Sequence, residues 1–295
     1  MVGPLARLHE AVFWHEVLWR KVSVADNRAG GERRQPRGGN GPRGPQKRGG
    51  RQQAPRSSGP HRARTTQPKT DGKPERSGPE LPSDIEARDL APEVRRELTT
   101  LDRNTSDFVA RHLVAAGELL DDDPEAALQH ARAARERSGR IAAVREAVGI
   151  AAYRCGDWAQ ALAELRAARR MGSKSPLLPL IADSERGLGR PERAIELARS
   201  PEAAALTGDD ADELRIVVAG ARSDLGQLDQ ALAILSTPQL DPTRTGQTAA
   251  RLFYAYAETL LALDRQQEAL QWFINTAAAD VEGVTDAEDR ITELS

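Results

Sequence analysis

Cysteine, aromatic side chains and long apolar runs are scarce in this chain of 295 residues. The single cysteine, Cys155, excludes an internal disulfide framework and any zinc or iron–sulfur site built from several cysteines. No apolar run approaches the roughly 18 residues of a membrane span. Charged side chains interrupt residues 1–20, where a signal peptide has an unbroken apolar core. We therefore expect a cytoplasmic protein without membrane contact.

Aromatic residues are missing altogether from residues 21–82, a segment with 11 Gly and 9 Pro. Val22, Val24 and Leu81 are its only large aliphatic side chains, so it buries too little apolar area to offset the entropy cost of ordering. It holds 15 Lys and Arg against 5 Asp and Glu. Because the whole chain has a net charge of -2 and residues 1–20 are balanced, residues 83–295 carry -12. We expect a disordered basic tail, residues 21–82, attached to an acidic body, residues 83–295.

The tail contains two Arg-Gly-Gly triplets, which resemble the arginine–glycine segments that follow nucleic-acid backbones. Without aromatic side chains for base stacking, only charge attraction remains, and it supplies dissociation constants of about 10⁻⁴ to 10⁻⁶ M at physiological salt. Three roles stay open: contact with nucleic acid or a ribosome, a solubilising linker, and docking onto the chain's own acidic body. The candidate polyanion-binding residues are Arg37, Arg43, Lys47, Arg48 and Arg51.

Residues 1–20 contain a cluster of apolar side chains around Trp14 and Trp19. Plotted at about 100° per residue, the apolar positions scatter around the helix axis. Two interpretations remain for this segment: a translated leader with no structural role, or a short helix that docks onto a partner or a membrane surface.

A seven-residue phrase organises the acidic body and is clearest at 156–162, as Gly-Asp-Trp-Ala-Gln-Ala-Leu. Its five copies share an alanine, and successive alanines lie 34, 33, 37 and 38 residues apart, a spacing typical of stacked helical repeats. The leading glycine suits the left-handed end of one helix, and the Asp, Pro or Glu that follows it starts the next helix. The shared alanines are Ala127, Ala161, Ala194, Ala231 and Ala269.

A second small residue precedes each shared alanine by twelve positions. Small residues on two antiparallel helices allow close approach, and the aliphatic residue beside the alanine fills the remaining gap. The pattern predicts helix pairs over about 105–137, 140–171, 175–199, 209–235 and 245–278, with insertions at 201–208 and 238–246. Helices at about 92–98 and after a capping box at 285–288 are expected to cap the ends. The preceding small residues are Ala115, Gly149, Ala182, Ala219 and Ala257.

These units resemble tetratricopeptide repeats in a degenerate, bacterial-type form. Unit two matches the family pattern best, through Val148, Gly149, Gly156, Asp157, Trp158, Ala161, Leu165 and Ala168. The resemblance implies an all-α fold, an α-solenoid of about five helix-turn-helix pairs with capping helices, preceded by the disordered tail. It also implies that a protein or peptide binds along a concave wall formed by the first helix of each pair.

The family's inward-facing spacings place eleven residues on that wall and give it a mixed, mildly acidic character. Two tyrosines among them are expected to offer flat contacts. The wall therefore suits a basic or arginine-containing peptide. The implied groove residues are His112, Glu146, Tyr153, Arg154, Asp183, Arg186, Glu213, Asp224, Arg251, Tyr254 and Glu258.

The acidic body gives no sign of a catalytic site. His112 and His130 are the only histidines after residue 61, and neither has a cysteine or a second histidine at ligand spacing, so we expect both on the surface or in the groove. Cys155 has no nearby histidine to act as a base and is expected at a buried helix end. The acidic run at 121–123 precedes the helix-starting Pro124, so we interpret it as a helix cap rather than a metal site. No phosphate-binding glycine loop is present, and we expect no catalytic residue, cofactor or metal.

Two functional hypotheses follow. The first is a non-enzymatic scaffold that binds a protein or peptide in the groove of a helical repeat array. The second is a factor associated with nucleic acid or a ribosome, anchored by the basic tail while the repeats recruit a partner. The oligomeric state stays open.

Overall fold

The computed structural model describes residues 78–295, and every regular element in that range is helical. The leader at 1–20 and the five candidate polyanion-binding residues of the tail lie outside the described range. Five packed helix pairs follow a short first helix, and their bounds fall within about three residues of the expected ones. The helices are α1 (Pro92–Glu97), α2 (Arg103–Glu118), α3 (Pro124–Ser138), α4 (Ala142–Arg154), α5 (Trp158–Arg170), α6 (Leu178–Gly187), α7 (Pro191–Leu197), α8 (Pro201–Ala204), α9 (Gly208–Asp224), α10 (Leu228–Leu235), α11 (Gln247–Ala262), α12 (Gln266–Ala279) and α13 (Ala287–Leu294).

The first residue of the repeated phrase lies in the turn between the two helices of a pair. At the end of α4, the N–H of Gly156 donates to the Tyr153 carbonyl at 3.0 Å, and the N–H of Asp157 donates to the Ala152 carbonyl at 2.9 Å. This double closure satisfies the last carbonyls of a helix and requires a left-handed residue. Asp157 then caps α5, because its carboxylate accepts from the N–H of Gln160 at 3.1 Å. The left-handed residues are Gly156 (φ 71°), Gly189 (φ 73°), Gly226 (φ 70°) and, in the last pair, Asp264 (φ 58°).

The shared alanines and the small residues twelve positions earlier are buried, as expected for points where paired helices cross. All five shared alanines are 0% exposed. In the second pair, a Cβ atom added to Gly149 would lie 2.7 Å from the side chain of Leu165, closer than carbon atoms pack. Leu165 is itself 0% exposed, and burial of such a leucine contributes about 1.5–3 kcal/mol. The repeat therefore encodes close helix contact.

Two insertions separate the later pairs; the first forms a short capped helix, and polar side chains hold the second against α9. Ser200 caps α8, since its hydroxyl accepts from the backbone N–H three residues later at 3.2 Å. Arg215 of α9 reaches the second insertion and donates to the Pro238 carbonyl at 3.1 Å. Arg244 returns from that insertion to Asp212 at 2.7 Å. The bonds of Arg215 and Arg244 keep the second insertion on the array.

The N-terminal segment packs on the first two pairs. Ile85 and Leu98 are 4% and 1% exposed. Arg111 of α2 donates from Nε to the Ile85 carbonyl at 3.0 Å. The Glu97 carboxylate accepts from the N–H of Ala143 at 3.1 Å and so occupies an otherwise unpaired donor at the start of α4. The cap expected at about 92–98 is present as α1 and the 3₁₀ turn Leu98–Thr100.

The C-terminal end differs from the expected capping box at 285–288. α13 begins at Ala287 and receives no side-chain cap bond. Thr285 instead donates its backbone N–H and its hydroxyl to the Asp280 carboxylate, at 2.7 Å and 2.6 Å. The predicted box is wrong because a nearer carboxylate at the end of α12 takes the threonine. No helix within residues 78–295 is long and apolar enough to cross a bilayer.

Candidate partner-binding face

All eleven residues expected to line the groove lie on the first helices of the pairs, α2, α4, α6, α9 and α11. We call these residues the first-helix set. Eight of them are buried, Arg154 and Arg186 are half-buried, and Asp224 is exposed. Polar residues this deeply buried need partners. The contacts that they make decide what the face presents.

The centre of the set is a chain of polar contacts that links three helices. The Tyr153 hydroxyl of α4 donates to the Asp183 carboxylate of α6. Asp183 also accepts from Arg186 Nη1 at 2.8 Å, and Arg186 Nε donates to Asp224 of α9 at 2.6 Å. Burial, followed by the charge of Asp183, raises the pKa of the Tyr153 phenol well above its usual value. Burial alone would lower the pKa of Arg186, but Asp183 and Asp224 raise it above its usual value.

Gly220 of α9 makes room for this chain of contacts. A Cβ atom at that position would lie 3.0 Å from the guanidinium carbon of Arg186. The guanidinium therefore lies across the helix backbone, in the space that a side chain would occupy. The missing side chain lets Arg186 reach Asp224 from the neighbouring helix.

The next link joins α9 to α11 through an ion pair. Arg251 Nη1 lies 2.9 Å from Glu213 Oε2, and the two side chains are 8% and 1% exposed. The contact lacks hydrogen-bond geometry at Nη1, and among residues 78–295 neither Arg251 Nε nor Glu213 Oε1 has a hydrogen-bond partner. Burial raises the pKa of Glu213 to about 7, against the opposing charge of Arg251. The pair is thus buried with unused donors and an unused acceptor.

The C-terminal end of the set is closed by α13. Arg290 donates from Nε to Glu258 at 2.8 Å, and its guanidinium carbon lies 5.5 Å from the centre of the Phe273 ring. Tyr254 packs edge-on against the same ring, with 5.4 Å between ring centres. Tyr254 is 3% exposed. This tyrosine therefore packs inside the array, as Tyr153 does against Trp158 at 5.2 Å.

The remaining α4 members have partners outside the first helices. Glu146 is 2% exposed and accepts from the Ser173 hydroxyl at 2.7 Å, while burial raises the pKa of its carboxyl group. Arg154 pairs with Asp121 at 3.0 Å. One member of the acidic run 121–123 thus forms an ion pair, and Asp123 caps α3, as the sequence indicated.

His112 and His130 correct the expectation of surface or groove histidines. Their side chains meet between α2 and α3, with 2.9 Å between the two Nδ1 atoms, and the residues are 1% and 4% exposed. They are 18 residues apart in the chain, a separation that the turn between two packed helices converts into contact. Burial, followed by the charges of His130 and Arg111, lowers the pKa of His112 to about 4. The imidazole pair is therefore a neutral internal contact.

The Cys155 thiol and the clusters of acidic residues are the other groups that could carry chemistry. Cys155 ends α4, and its thiol donates to the Pro124 carbonyl at 3.1 Å. Burial, with Glu125 next, raises the pKa of this thiol, which disfavours the thiolate that a nucleophile requires. Within residues 78–295, no group of three or more His, Cys, Asp or Glu residues is arranged to hold a metal ion.

The sequence pattern identifies the first-helix set but not the residues that contact it, Gly220, Arg290, Ser173 and Asp121. Gly220 was detectable in principle, because a glycine within a helix weakens it unless close contact requires the residue. Arg290, Ser173 and Asp121 carry no comparable signal. Their roles depend on which helices pack together.

Comparisons with known proteins give a match to one family profile and a match to a solved structure. Residues 181–284 match a sequence profile described as tetratrico peptide repeat. No curated protein matches the chain. Among solved structures, a match is the crystal structure of YrrB, described as a TPR protein with an unusual peptide-binding site. The sequence identity is 19%, the match covers 64% of this chain and 94% of the YrrB chain, and the TM-score is 0.41. The profile match runs from α6 to just beyond α12.

Proposed function

We propose that the chain is a non-enzymatic scaffold that binds a protein or peptide along its first helices, a role supported by the tetratricopeptide-repeat match over residues 181–284. The observation that carries this proposal is the line of charged side chains that crosses successive first helices. Structural repeats that stack in one direction present corresponding positions along one face. A peptide laid along that face meets one such position at each helix.

The charge of the face favours a basic partner. Residues 83–295 carry a net charge of -12, and the exposed member of the first-helix set, Asp224, is a carboxylate. Burial raises the pKa of Glu213, on the same helix, to about 7, and a nearby cation would stabilise its charged form. We accordingly assign the partner as an arginine-containing or otherwise basic peptide segment.

The test is a titration of the full chain with fluorescent peptides of one length that carry arginine, glutamine or glutamate at the same positions. The arginine peptide should bind most tightly. Asp224→Asn should weaken that binding about two- to fivefold, the effect of a partly exposed charge pair. Asp229→Asn is the matched control, because Asp229 is exposed on a second helix, α10. Equal binding of the three peptides, or equal effects of the two substitutions, would refute the assignment.

A further inference from the structure

A cleft of about 570 Å³ lies between the second and third helix pairs. None of the described residues that line it belongs to the first-helix set. On α6, Glu185 of the cleft is two positions from Asp183 of that set, so the two side chains leave the helix about 160° apart. The cleft is therefore a separate surface. Its lining residues are Arg166, Glu185, Arg190, Arg193, Glu196, Leu197 and Ser200.

The buried carboxylate of Glu185 holds two of the three arginines that line the cleft. Its side chain is 4% exposed, and one of its oxygens lies 2.5 Å from Arg166 Nη2. The other oxygen lies 3.5 Å from Arg190 Nη1. Each contact uses one nitrogen of a guanidinium, and a guanidinium has five N–H donors. Both arginines therefore keep N–H donors for a further acceptor.

Arg190 reaches the cleft through the turn between α6 and α7. Gly189 is left-handed, with a φ of 73°, and the N–H of Arg190 donates to the Glu185 carbonyl at 3.0 Å. In the first two pairs the corresponding residue is an aspartate, Asp123 or Asp157, that caps the next helix. Arg190 gives α7 no side-chain cap bond. The formation of α7 does not explain this arginine, and such departures from local rules are expected at functional sites.

Arg193 of α7 is the most accessible of the three arginines. Its side chain is 66% exposed and pairs at 2.6 Å with Glu196, which is 67% exposed. An exposed pair of this kind contributes little free energy, because water screens both charges. An incoming anion can therefore take the place of Glu196.

The charge of the cleft matches a dianion. Three arginines face one buried carboxylate, that of Glu185, so two positive charges remain once Glu196 turns outward. A phosphate monoester carries a charge of about -1.5 to -2 at pH 7 and has three acceptor oxygens, and guanidinium forks pair with phosphate oxygens. A carboxylate would leave one positive charge unbalanced. We propose that this cleft binds a phosphate monoester, with Arg166, Arg190 and Arg193 as the donors.

The size of the cleft suits such a ligand. Its volume falls within the range of about 300–1,000 Å³ that is usual for small-molecule sites. The space exceeds what a phosphate group fills and accommodates the group that carries it. The site thus takes an esterified phosphate, either on a small molecule or on a modified side chain of a partner.

The probes are N-acetyl-O-phosphoserine amide, inorganic phosphate and N-acetylglutamate amide, each titrated into the full chain and followed through the arginine Nε–H signals by nitrogen-15 NMR. The phosphoserine derivative should bind most tightly. Arg190→Gln and Arg193→Gln should each weaken its binding about tenfold, the effect of one charge-assisted hydrogen bond. Arg265→Gln is the matched control and should change nothing. Arg265 also precedes the second helix of its pair, and it pairs at 2.7 Å with a glutamate three residues later.

Two further measurements test the charge argument. Glu196→Gln removes the carboxylate that competes for Arg193 and should tighten phosphoserine binding about two- to threefold. Glu268→Gln, in the control pair of the fifth repeat, should leave the affinity unchanged. Binding should also weaken as the pH falls below about 6, where the phosphate takes up a proton.

The outcomes test the site apart from the proposed function. Equal affinity for the glutamate derivative would overturn the match to a dianion. Tighter binding of inorganic phosphate than of the phosphoserine derivative would overturn the assignment of an ester. Equal effects of Arg190→Gln and Arg265→Gln, or unshifted arginine signals with both phosphate probes, would overturn the cleft as a binding site. Basic-peptide binding along the first helices should be unchanged in Arg190→Gln, so either proposal can fail without the other.

Discussion

Replacing Glu213 with glutamine removes one ionisable group from the centre of the first-helix set and preserves its shape. Glu213 is 1% exposed, and burial raises the pKa of its carboxyl group from 4.5 to about 7. Glutamine is neutral at every pH. The substitution therefore tests whether the folded chain holds a protonated carboxyl group next to Arg251 below neutral pH.

The direction of the pH effect on stability follows from the pKa values of Glu213 in the folded and unfolded chain. The folded pKa lies above the unfolded one, so the folded state binds the proton more tightly between pH 4.5 and 7. The stabilisation from this group is complete below pH 4.5 and is lost as the pH rises through 7. At 1.36 kcal/mol for each pKa unit, the loss amounts to roughly 3 kcal/mol. Glu213→Gln should thus gain roughly 3 kcal/mol of stability relative to the unmodified chain between pH 4.5 and pH 8.

The assay is urea unfolding at several pH values between 4.5 and 8, followed by helical circular dichroism. His112 acts in the opposite direction, since its lowered pKa of about 4 means that its stabilisation is lost as the pH falls from 6.5 to 4. That contribution is present in both proteins and cancels in their difference. Asp229→Asn, at an exposed position on α10, is the control and should give a constant difference. A constant difference for Glu213→Gln as well, or a carboxyl titration midpoint below pH 5 in carbon-13 NMR, would refute the reasoning.

Three further substitutions test the packing by thermal or urea unfolding. Ala161→Arg places a charge at a buried helix crossing and should destabilise the chain by more than about 3 kcal/mol. Ala159→Arg, at an exposed position on the same helix, should have little effect. Equal losses of stability would contradict the helix crossing at Ala161. In Gly149→Ala the added Cβ atom would lie 2.7 Å from a packed leucine side chain, whereas in Gly220→Ala it would lie 3.0 Å from a guanidinium that can move. The first substitution should therefore cost about 1–2 kcal/mol more stability than the second. The reverse order would contradict this contact geometry. Asp264 is exposed and has a left-handed backbone, with a φ of 58°, which glycine adopts without strain. Asp264→Gly should therefore stabilise the chain by about 0.5–1 kcal/mol. A loss of stability would show that the aspartate side chain has another role.

The helix pairs could be predicted from the sequence because local rules determine them. A glycine that must be left-handed, a capping carboxylate and two small residues twelve positions apart are all visible without knowledge of tertiary contacts. The capping box at 285–288 failed for the opposite reason. Thr285 has a local partner within the sequence pattern, but Asp280 lies closer in space and accepts both of its donors.

The first-helix set could be placed on its helices, but its burial could not be predicted. Helical spacing shows which direction a side chain takes from its own helix, and it does not show how near the neighbouring first helix lies. Tyr153 was expected to offer a flat contact and instead donates to Asp183. The contact exists because α4 and α6 are close, a distance set by the packing of the intervening α5. Whether a partner also reaches these residues stays a prediction.

The polar links of the first-helix set join successive helix pairs. Tyr153 with Asp183 joins the second pair to the third, Arg186 with Asp224 joins the third to the fourth, and Glu213 with Arg251 joins the fourth to the fifth. Each of the last three steps between first helices thus has one polar contact, and buried ion pairs are often no more stabilising than apolar residues of similar size. Apolar replacement of Glu213 and Arg251 together should therefore preserve the array, with unchanged hydrogen exchange of the amides of α9 and α11. Faster exchange of those amides after the double replacement would show instead that the ion pair is needed to hold α9 against α11.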